Sequence, residues 1–225
     1  MPQNNGIIYY NHGGKFLARL MVSLYSLRQH YNGNVAIMVW NTNTDDLESC
    51  KSLAKKFSAD IINVDCEVAK CKYDYFLVKT RLPLYSKFDN TIYIDADTII
   101  LHNFDELFKK IDKNDFVVVN IGRWTRRKRS ITRLLEYANI YPKNVEYRIQ
   151  NYVAINCGVF GFNKRSTLVQ KWYDFALPCK DFRIPDEDTC SLMLKDHKHK
   201  LISEKYNSIW KIRKPTESTK IVPCI

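Results

Sequence analysis

The segment Thr91 to Leu101, TIYIDADTIIL, limits the fold more than any other part of the chain. Ile92, Tyr93 and Ile94 are apolar and β-favouring in succession, so both faces of the strand need cover and the stretch reads as a buried central strand. The run stops at Asp95-Ala96-Asp97 and resumes at Ile99. Side chains two apart on an extended chain share a face, so the two carboxylates are expected to project together from the strand end. At about 4 Å, two like charges repel by about 4 kcal/mol at an effective dielectric of 20. Either one carboxyl takes a proton or a cation sits between them. Hard divalent ions, Mn²⁺ or Mg²⁺, favour carboxylate oxygen and bring phosphate oxygens as further ligands. Asp95 and Asp97 are therefore the expected metal ligands of a metal–diphosphate site.

A strand covered on both faces calls for helices, and the sequence supplies them in alternation. Strands are expected at 6–10, 35–40, 61–64, 116–120 and 152–162. Helices are expected at 16–30, 47–57, 75–88 despite Pro83, 131–139, 166–176 and 186–195. The pattern predicts an α/β fold with a mostly parallel central sheet flanked by helices. A chain of 225 residues with no repeat and no Gly/Ser linker is expected to form one domain over 1–225. In open α/β sheets ligands bind beyond the carboxyl ends of the strands. Tyr10 and Asn11 fall at such an end, the ring placed to stack on a base and the amide to bond its edge. Gly13-Gly14, a turn before a helix, is expected to bring backbone N–H groups near phosphate. Neither a P-loop pattern nor G-x-G-x-x-G occurs.

Composition narrows the setting. At 45% hydrophobic and 26% charged, the chain has the make-up of an ordinary globular protein. No stretch approaches the roughly 18 apolar residues of a membrane span. Seven scattered cysteines form no C-x-x-C pair, which points to a reducing compartment, and the absence of a basic-then-apolar leader makes the cytoplasm the expected location. The net charge of +11 is concentrated in part at 123–133, where six Arg and Lys fall. That stretch reads either as a solvated loop or as a basic flap facing an anionic substrate or an acidic membrane surface. No nucleic-acid recognition module surrounds it, so no specific nucleic acid is expected.

Several pieces together resemble nucleotide-sugar glycosyltransferases of the GT-A fold, most closely the glycogenin-like family 8 and its relatives. Asp95-Ala96-Asp97-Thr98 followed by Asn103-Phe104-Asp105-Glu106-Leu107-Phe108 resembles that family's D-x-D segment. The first strand, turn and helix, ending Ser26-Leu27-Arg28-Gln29-His30, resemble its nucleotide-binding unit. Lys79 matches a lysine that reaches the donor, Asn156-Cys157-Gly158-Val159-Phe160 resembles the N-x-G-V segment lining the sugar pocket, and Asp186-Glu187 stands where the family has Asp-Gln. The resemblance implies a GT-A, Rossmann-like domain whose N-terminal part binds nucleotide and whose C-terminal part binds acceptor. It implies donor contacts from Tyr10, Asn11, Lys79, Asp95, Ala96 and Asp97, and sugar or acceptor contacts from Asn156, Gly158, Asp186 and Glu187, with Asp186 the catalytic candidate. The implied reaction is metal-dependent transfer from a nucleoside diphosphate sugar, by family habit a UDP-sugar, to a hydroxyl of a glycan, protein or small molecule. One departure stands out: the family's H-x-x-G-x-x-K-P-W segment, source of a third metal ligand, does not occur, since Lys214-Pro215 lacks the His and Gly before it. His197 and His199 read as ordinary surface residues. Retention and inversion both stay open, with Asp186, Glu187 or Asp188 able to serve as a base.

Some of these residues also carry weight on physical grounds alone. A glycine inside a strand, as at 158, weakens the strand and marks close approach by another group. Asp186 and Glu187 suit a helix N-terminus electrostatically without any catalytic role. Two rival functions share the Asp-x-Asp pattern or the fold: a phosphatase of the haloacid dehalogenase type, and a GT-A-like domain that binds nucleotide, glycan or polyanion without turnover.

Overall fold

A computed structural model describes residues 4–40, 42–68, 71, 74–122, 152–181, 185–209 and 215–223. The basic stretch 123–133 and the expected helix 131–139 lie outside the described residues. In chain order the strands are β1 (Asn5–Asn11), β2 (Asn34–Val39), β3 (Asp60–Asn63), β4 (Asn90–Asp95), β5 (Thr98–Ile100), β6 (Phe116–Gly122), β7 (Ala154–Asn163), β8 (Lys200–Ile202) and β9 (Ile221–Pro223). The α-helices are α1 (Leu17–Arg28), α2 (Thr44–Lys56), α3 (Asp74–Lys79), α4 (Glu106–Asn114), α5 (Thr167–Ala176) and α6 (Pro185–Met193).

Seven strands form one sheet in the order β3-β2-β1-β4-β7-β6-β8. Within it β7 alone runs against the others. The expected mostly parallel sheet is thus present. Strand alternation sorts the side chains into two layers. Ile7, Tyr9, Ile92 and Ile94 pack under α1, α2 and α4 through Leu20, Leu24, Leu27, Cys50, Leu107 and Ile111. Ile8, Tyr10 and Tyr93 face the other way, against Leu77, Trp172 and Cys190 of α3, α5 and α6. The chain runs outward from β1 to β2 and β3, then returns to place β4 on the other side of β1. Sheet order therefore reverses between β1 and β4, and a crevice opens there at the carboxyl ends of the strands.

Three local expectations change. The helix expected over 75–88 stops at Lys79, and a separate 3₁₀ turn, Leu82–Tyr85, carries Pro83, whose missing N–H cannot continue an α-helical ladder. Asp97 is not on an extended strand: β4 ends at Asp95 and the chain turns through 96–97 before β5. Helix α4 and the short strands β8 and β9 are additions. β5 pairs antiparallel with β9 as a second, two-stranded sheet, with Thr98 opposite Pro223. Among the described residues no helix is long and apolar enough to cross a membrane.

Candidate active site

The crevice between β1 and β4 is a cleft of about 210 Å³ lined by Tyr10, His12, Phe16, Tyr75, Phe76, Lys79, Tyr93, Asp95, Ala96 and Asp97. Tyr10 and Asp95 are register partners on adjacent parallel strands, which sets an aromatic ring beside a carboxylate at the cleft floor. Tyr93 and Asp95, two apart on β4, share a face, and the buried Tyr93 hydroxyl donates to Asp95 Oδ1 at 2.7 Å. Lys79 Nζ, delivered by the last turn of α3, donates to the same oxygen at 2.8 Å and lies 3.8 Å from Asp186 Oδ2.

Lys79 is 5% exposed, and its burial alone would strip it of charge. Asp95 and Asp186 outweigh that and hold the ammonium well above the ordinary lysine range. Burial pushes Asp186 up to about 7; Lys79 opposes the rise, and Glu187 and Asp95 add to it. Asp97 is also raised, by burial first and by the neighbouring Asp95 second, while Lys79 and Arg19 pull it down. The Arg19 guanidinium stands 3.8 Å from Asp97 Oδ2, with both side chains over a third exposed, so solvent screens that pair.

These charges bear on whether a divalent ion fits. Asp95 and Asp97 line one cleft and raise each other's need for a positive partner. Lys79 meets part of that need, at Asp95 Oδ1. The other oxygen, Asp95 Oδ2, lies 3.0 Å from where a side chain on Gly158 would begin. Two carboxylates in a cleft suit a hard divalent ion completed by diphosphate oxygens. Among the described residues no group of three His, Cys, Asp or Glu side chains is gathered for a metal. His197 and His199 sit before β8 at the opposite edge of the sheet, bonded to Thr167 Oγ1 and to the His197 carbonyl respectively. Pro223, opposite Thr98, brings the end of β9 beside the 95–97 turn.

The other expected residues separate into two groups. Asn156, Gly158, Asp186 and Glu187 come together. Asn156 Nδ2 donates to Glu187 Oε1 at 3.0 Å, the Cys157 N–H points to the same oxygen at 3.4 Å, and the Gly158 N–H donates to Asn156 Oδ1 at 2.7 Å. Gly158 is a site of close approach, since an added Cβ would lie 2.5 Å from Asn207 Nδ2, 2.8 Å from Asn156 Oδ1 and 3.0 Å from Asp95 Oδ2. Asn11, by contrast, does not line the cleft. It alternates with Tyr10 and so turns to the other face, where Nδ2 donates to the Gly13 carbonyl and Cys50 Sγ at 3.3 Å each. The Gly14 N–H is likewise committed, to Asp46 Oδ2 at 2.7 Å, and is not left for phosphate. Tyr10 keeps its place in the cleft, its hydroxyl 3.1 Å from His12 Nδ1.

Besides the lining rings of Phe16, Tyr75 and Phe76, sequence reasoning misses His12, Tyr93 and Asn207. His12, tilted against Tyr75 and stacked on Trp40, lines the cleft. Its place after Asn11 restores it to the face of Tyr10, so strand alternation is the signal that points to it. Tyr93 is legible in the same way, two residues before Asp95. Asn207, between a 3₁₀ turn and the approach to β9, carries no periodic signal. Its amide donates to Asn156 Oδ1, and it is 2% exposed. Three buried side-chain oxygens among the described residues lack a partner: Asn11 Oδ1, Asp186 Oδ1 and Asn207 Oδ1. Each such group costs about 1–3 kcal/mol of desolvation.

Comparison with known proteins identifies the family and the fold. The model of the family described as "Mannosyltransferase putative" matches residues 4–156, a span that carries β1, Lys79, the Asp95–Asp97 turn and Asn156. No curated protein sequence matches the chain. Among solved structures, mouse xyloside xylosyltransferase 1 in its apo form superposes with a TM-score of 0.63 at 14% identity, over 98% of this chain and 97% of that one. The apo WbbM bifunctional glycosyltransferase gives 0.66 at 12% identity, covering 99% of this chain but 46% of its own. Galactosyltransferase LgtC, in complex with donor and acceptor sugar analogues, gives 0.65 at 10% identity, over 97% and 86%. At these identities the likeness establishes the fold, which is that of GT-A glycosyltransferases.

Proposed function

The chain belongs to the mannosyltransferase family whose model its residues 4–156 match, and from that premise we propose that it transfers a sugar from a nucleoside diphosphate sugar to an acceptor hydroxyl. The observation that carries this reading is the cleft itself. Aromatic rings of Tyr10, Phe16 and Tyr75 line it together with a buried ammonium and two adjacent carboxylates. Rings suit a base, and the Lys79 cation suits a diphosphate. Asp95 and Asp97 are the residues that would hold Mn²⁺ or Mg²⁺, which when bound stabilises the negative charge of the leaving diphosphate as a Lewis acid.

This chain's own residues then perform the positioning. Breaking the anomeric C–O bond moves negative charge onto the diphosphate. Lys79 is kept charged by Asp95 and Asp186 and so is set to meet that charge without reorganising. Tyr93 and Lys79 both hold Asp95 Oδ1, which fixes the carboxylate's orientation and leaves Oδ2 toward Gly158. Asn156, tied to Glu187, and Asp186 present polar atoms where the sugar is to lie, so that orientation supplies much of the rate. N-terminal strands thus form the nucleotide side and α6, from the C-terminal part, the sugar and acceptor side.

The narrower features belong to the proposal too. Kinship with the glycogenin-like family 8 rests on the segment at 95–108, the first strand, turn and helix ending at 26–30, Lys79, and the segments at 156–160 and 186–187, and the UDP donor on that kinship. The mannosyl description of the matched family makes GDP-mannose the rival donor. A phosphatase finds no support in this strand order. A domain that binds without turnover is favoured by one observation, the lack of a gathered third metal-binding side chain among the described residues. A thermal-shift screen of UDP- and GDP-sugars with Mn²⁺, followed by NMR of donor cleavage, tests the reading. One donor is expected to stabilise the fold specifically and to be consumed when an acceptor is added. Stabilisation without consumption would leave the binding domain, and no stabilisation by any nucleotide would overturn the reading.

A further inference from the structure

Asn207 lies beside Asn156 and Gly158, next to the cleft residue Asp95, with half of its amide unused. Its Nδ2 donates to Asn156 Oδ1, and its backbone N–H to the Glu204 carbonyl. The next residue, Ser208, donates its N–H to the Ile221 carbonyl of β9 at 2.9 Å, so the loop is pinned on both sides. The side chain is 2% exposed, yet Oδ1 has no partner. Most buried amides satisfy both ends; among the described residues Asn11 is the other exception and faces away from the cleft, whereas Asn207 meets Asn156 and Gly158.

The surroundings narrow what could complete it. Asn207 joins a run of contacts: Asn207 to Asn156, Asn156 to Glu187, and, from the next residue, Asp186 to Lys79 to Asp95. Both ends of the run meet at Gly158, where only the lack of a Cβ lets Asn207, Asn156 and Asp95 converge. Asp186 Oδ1, on the same run, is the second unpartnered oxygen. Asn207 Oδ1 is an acceptor, and so is Asp186 Oδ1 in the ionised form that Lys79 favours. Phosphate oxygens bring acceptors and negative charge, and so do not complement them. Hydroxyl groups do, since each brings an O–H to donate.

We propose that Asn207 is a substrate-contacting residue: its Oδ1, with Asp186 Oδ1, accepts hydrogen bonds from two hydroxyls of the transferred sugar, so the site selects a sugar in which both are free. This rests on the transfer function proposed above and adds to it a residue and a requirement on the sugar. The test measures affinity by calorimetry for the UDP- or GDP-hexose singled out by the thermal screen, for its free nucleoside diphosphate, and for its monodeoxy analogues, all with Mn²⁺. Asn207→Ala is expected to weaken the nucleotide sugar by about tenfold, leave the free diphosphate unchanged, and abolish the penalty of one particular deoxy analogue. Unchanged affinity of Asn207→Ala for the nucleotide sugar would overturn the proposal. Should that variant fail to fold, the deoxy series on the unmodified chain decides. Two positions costing about tenfold each support the proposal, and none costing more than about twofold overturns it. Diphosphate bound as tightly as nucleotide sugar overturns this proposal alone. No nucleotide bound at all overturns the transfer function with it.

Discussion

The two edges of the central sheet are both rich in polar side chains, yet they are built on opposite terms. At the amino edge, asparagines at the starts of β1, β2 and β4 and the end of β7 bond one another. Asn34 Nδ2 donates to Asn4 Oδ1, Asn90 Nδ2 to Asn5 Oδ1, and Asn163 Nδ2 to Asn90 Oδ1. Arg28 closes the same edge by donating to the carbonyls of Phe57, Tyr31, Gly33 and Ser58. At the carboxyl edge, a buried lysine stands among carboxylates, and Asp186 and Asn207 each keep a buried oxygen without a partner, as Asn11 does on the face turned away from the cleft. Polar content is the same kind of signal at both edges. Satisfaction separates them: the saturated edge holds the fold together, and the unsaturated one leaves the acceptors that the proposed sugar site requires.

Substitutions at the two edges are therefore expected to fail in different assays. The largest effect on turnover is for Asp97→Ala, which should lower metal-dependent donor consumption by at least about a hundredfold. Its melting temperature should hardly move, because the side chain lies in a partly exposed turn. Arg28→Met is the converse, losing about 2 kcal/mol in urea titration through four orphaned carbonyls while nucleotide affinity stays as it was. Equal loss of both properties in both variants would erase the contrast.

Next comes Lys79→Met, which touches both properties. Removing the cation leaves Asp95 and Asp186 facing each other in a buried site, so urea titration should show a loss of about 3–5 kcal/mol. Donor consumption should fall as well, and a variant that stays fully active would show that Lys79 serves stability alone.

Two glycines sharpen the comparison further. Gly158→Ala is expected to push Asn207, Asn156 and Asp95 apart and to cut donor turnover by about tenfold, a loss of some 1.4 kcal/mol in transition-state stabilisation. Gly6→Ala, at the start of β1, drives a methyl into the Phe88 ring and should cost about 1–3 kcal/mol of stability by overpacking, with kcat of the folded fraction retained.

The smallest effect concerns pH. Burial lowers His12 below the ordinary imidazole range, with Asp74 pulling upward and Lys15 downward. The unfolded chain then takes a proton first, so the His12 contribution to stability falls as pH drops below about 6.5, against the opposite contribution of Asp186, whose raised carboxyl takes its proton in the folded chain. The difference in urea stability between His12→Gln and the native chain should therefore move in the variant's favour from about pH 7 to pH 5, and a difference independent of pH would remove His12 as a contributor.

Much of this architecture is legible in the amino-acid sequence. The buried strand and the acid pair stand out because charge placed after an apolar run contradicts its surroundings, whereas Lys79 is reached only through the resemblance. Sheet direction follows from the alternation of strands and helices. Other features resist for physical reasons. A place at the end of β1 puts Asn11 near the cleft, yet period-two alternation with Tyr10 turns its side chain to the opposite face. The turn at 96–97 depends on β5 pairing with β9, more than a hundred residues later, and no local pattern reports such a partner. Asp186, Glu187 and Asp188 look like exposed acids at a helix start, yet α6 is buried along its whole length between the sheet and α5. Asn207 carries no period and no motif, and only its burial and unsatisfied oxygen single it out.

The most direct measurement is calorimetric titration of the screened nucleotide sugar into the native chain and into Asp97→Ala, each with Mn²⁺ and again with excess chelator. The account predicts tight binding in one of the four conditions, the native chain with Mn²⁺, and at least about tenfold weaker binding in the other three. Equal affinity with chelator present, or in the chain lacking the Asp97 carboxylate, would contradict it.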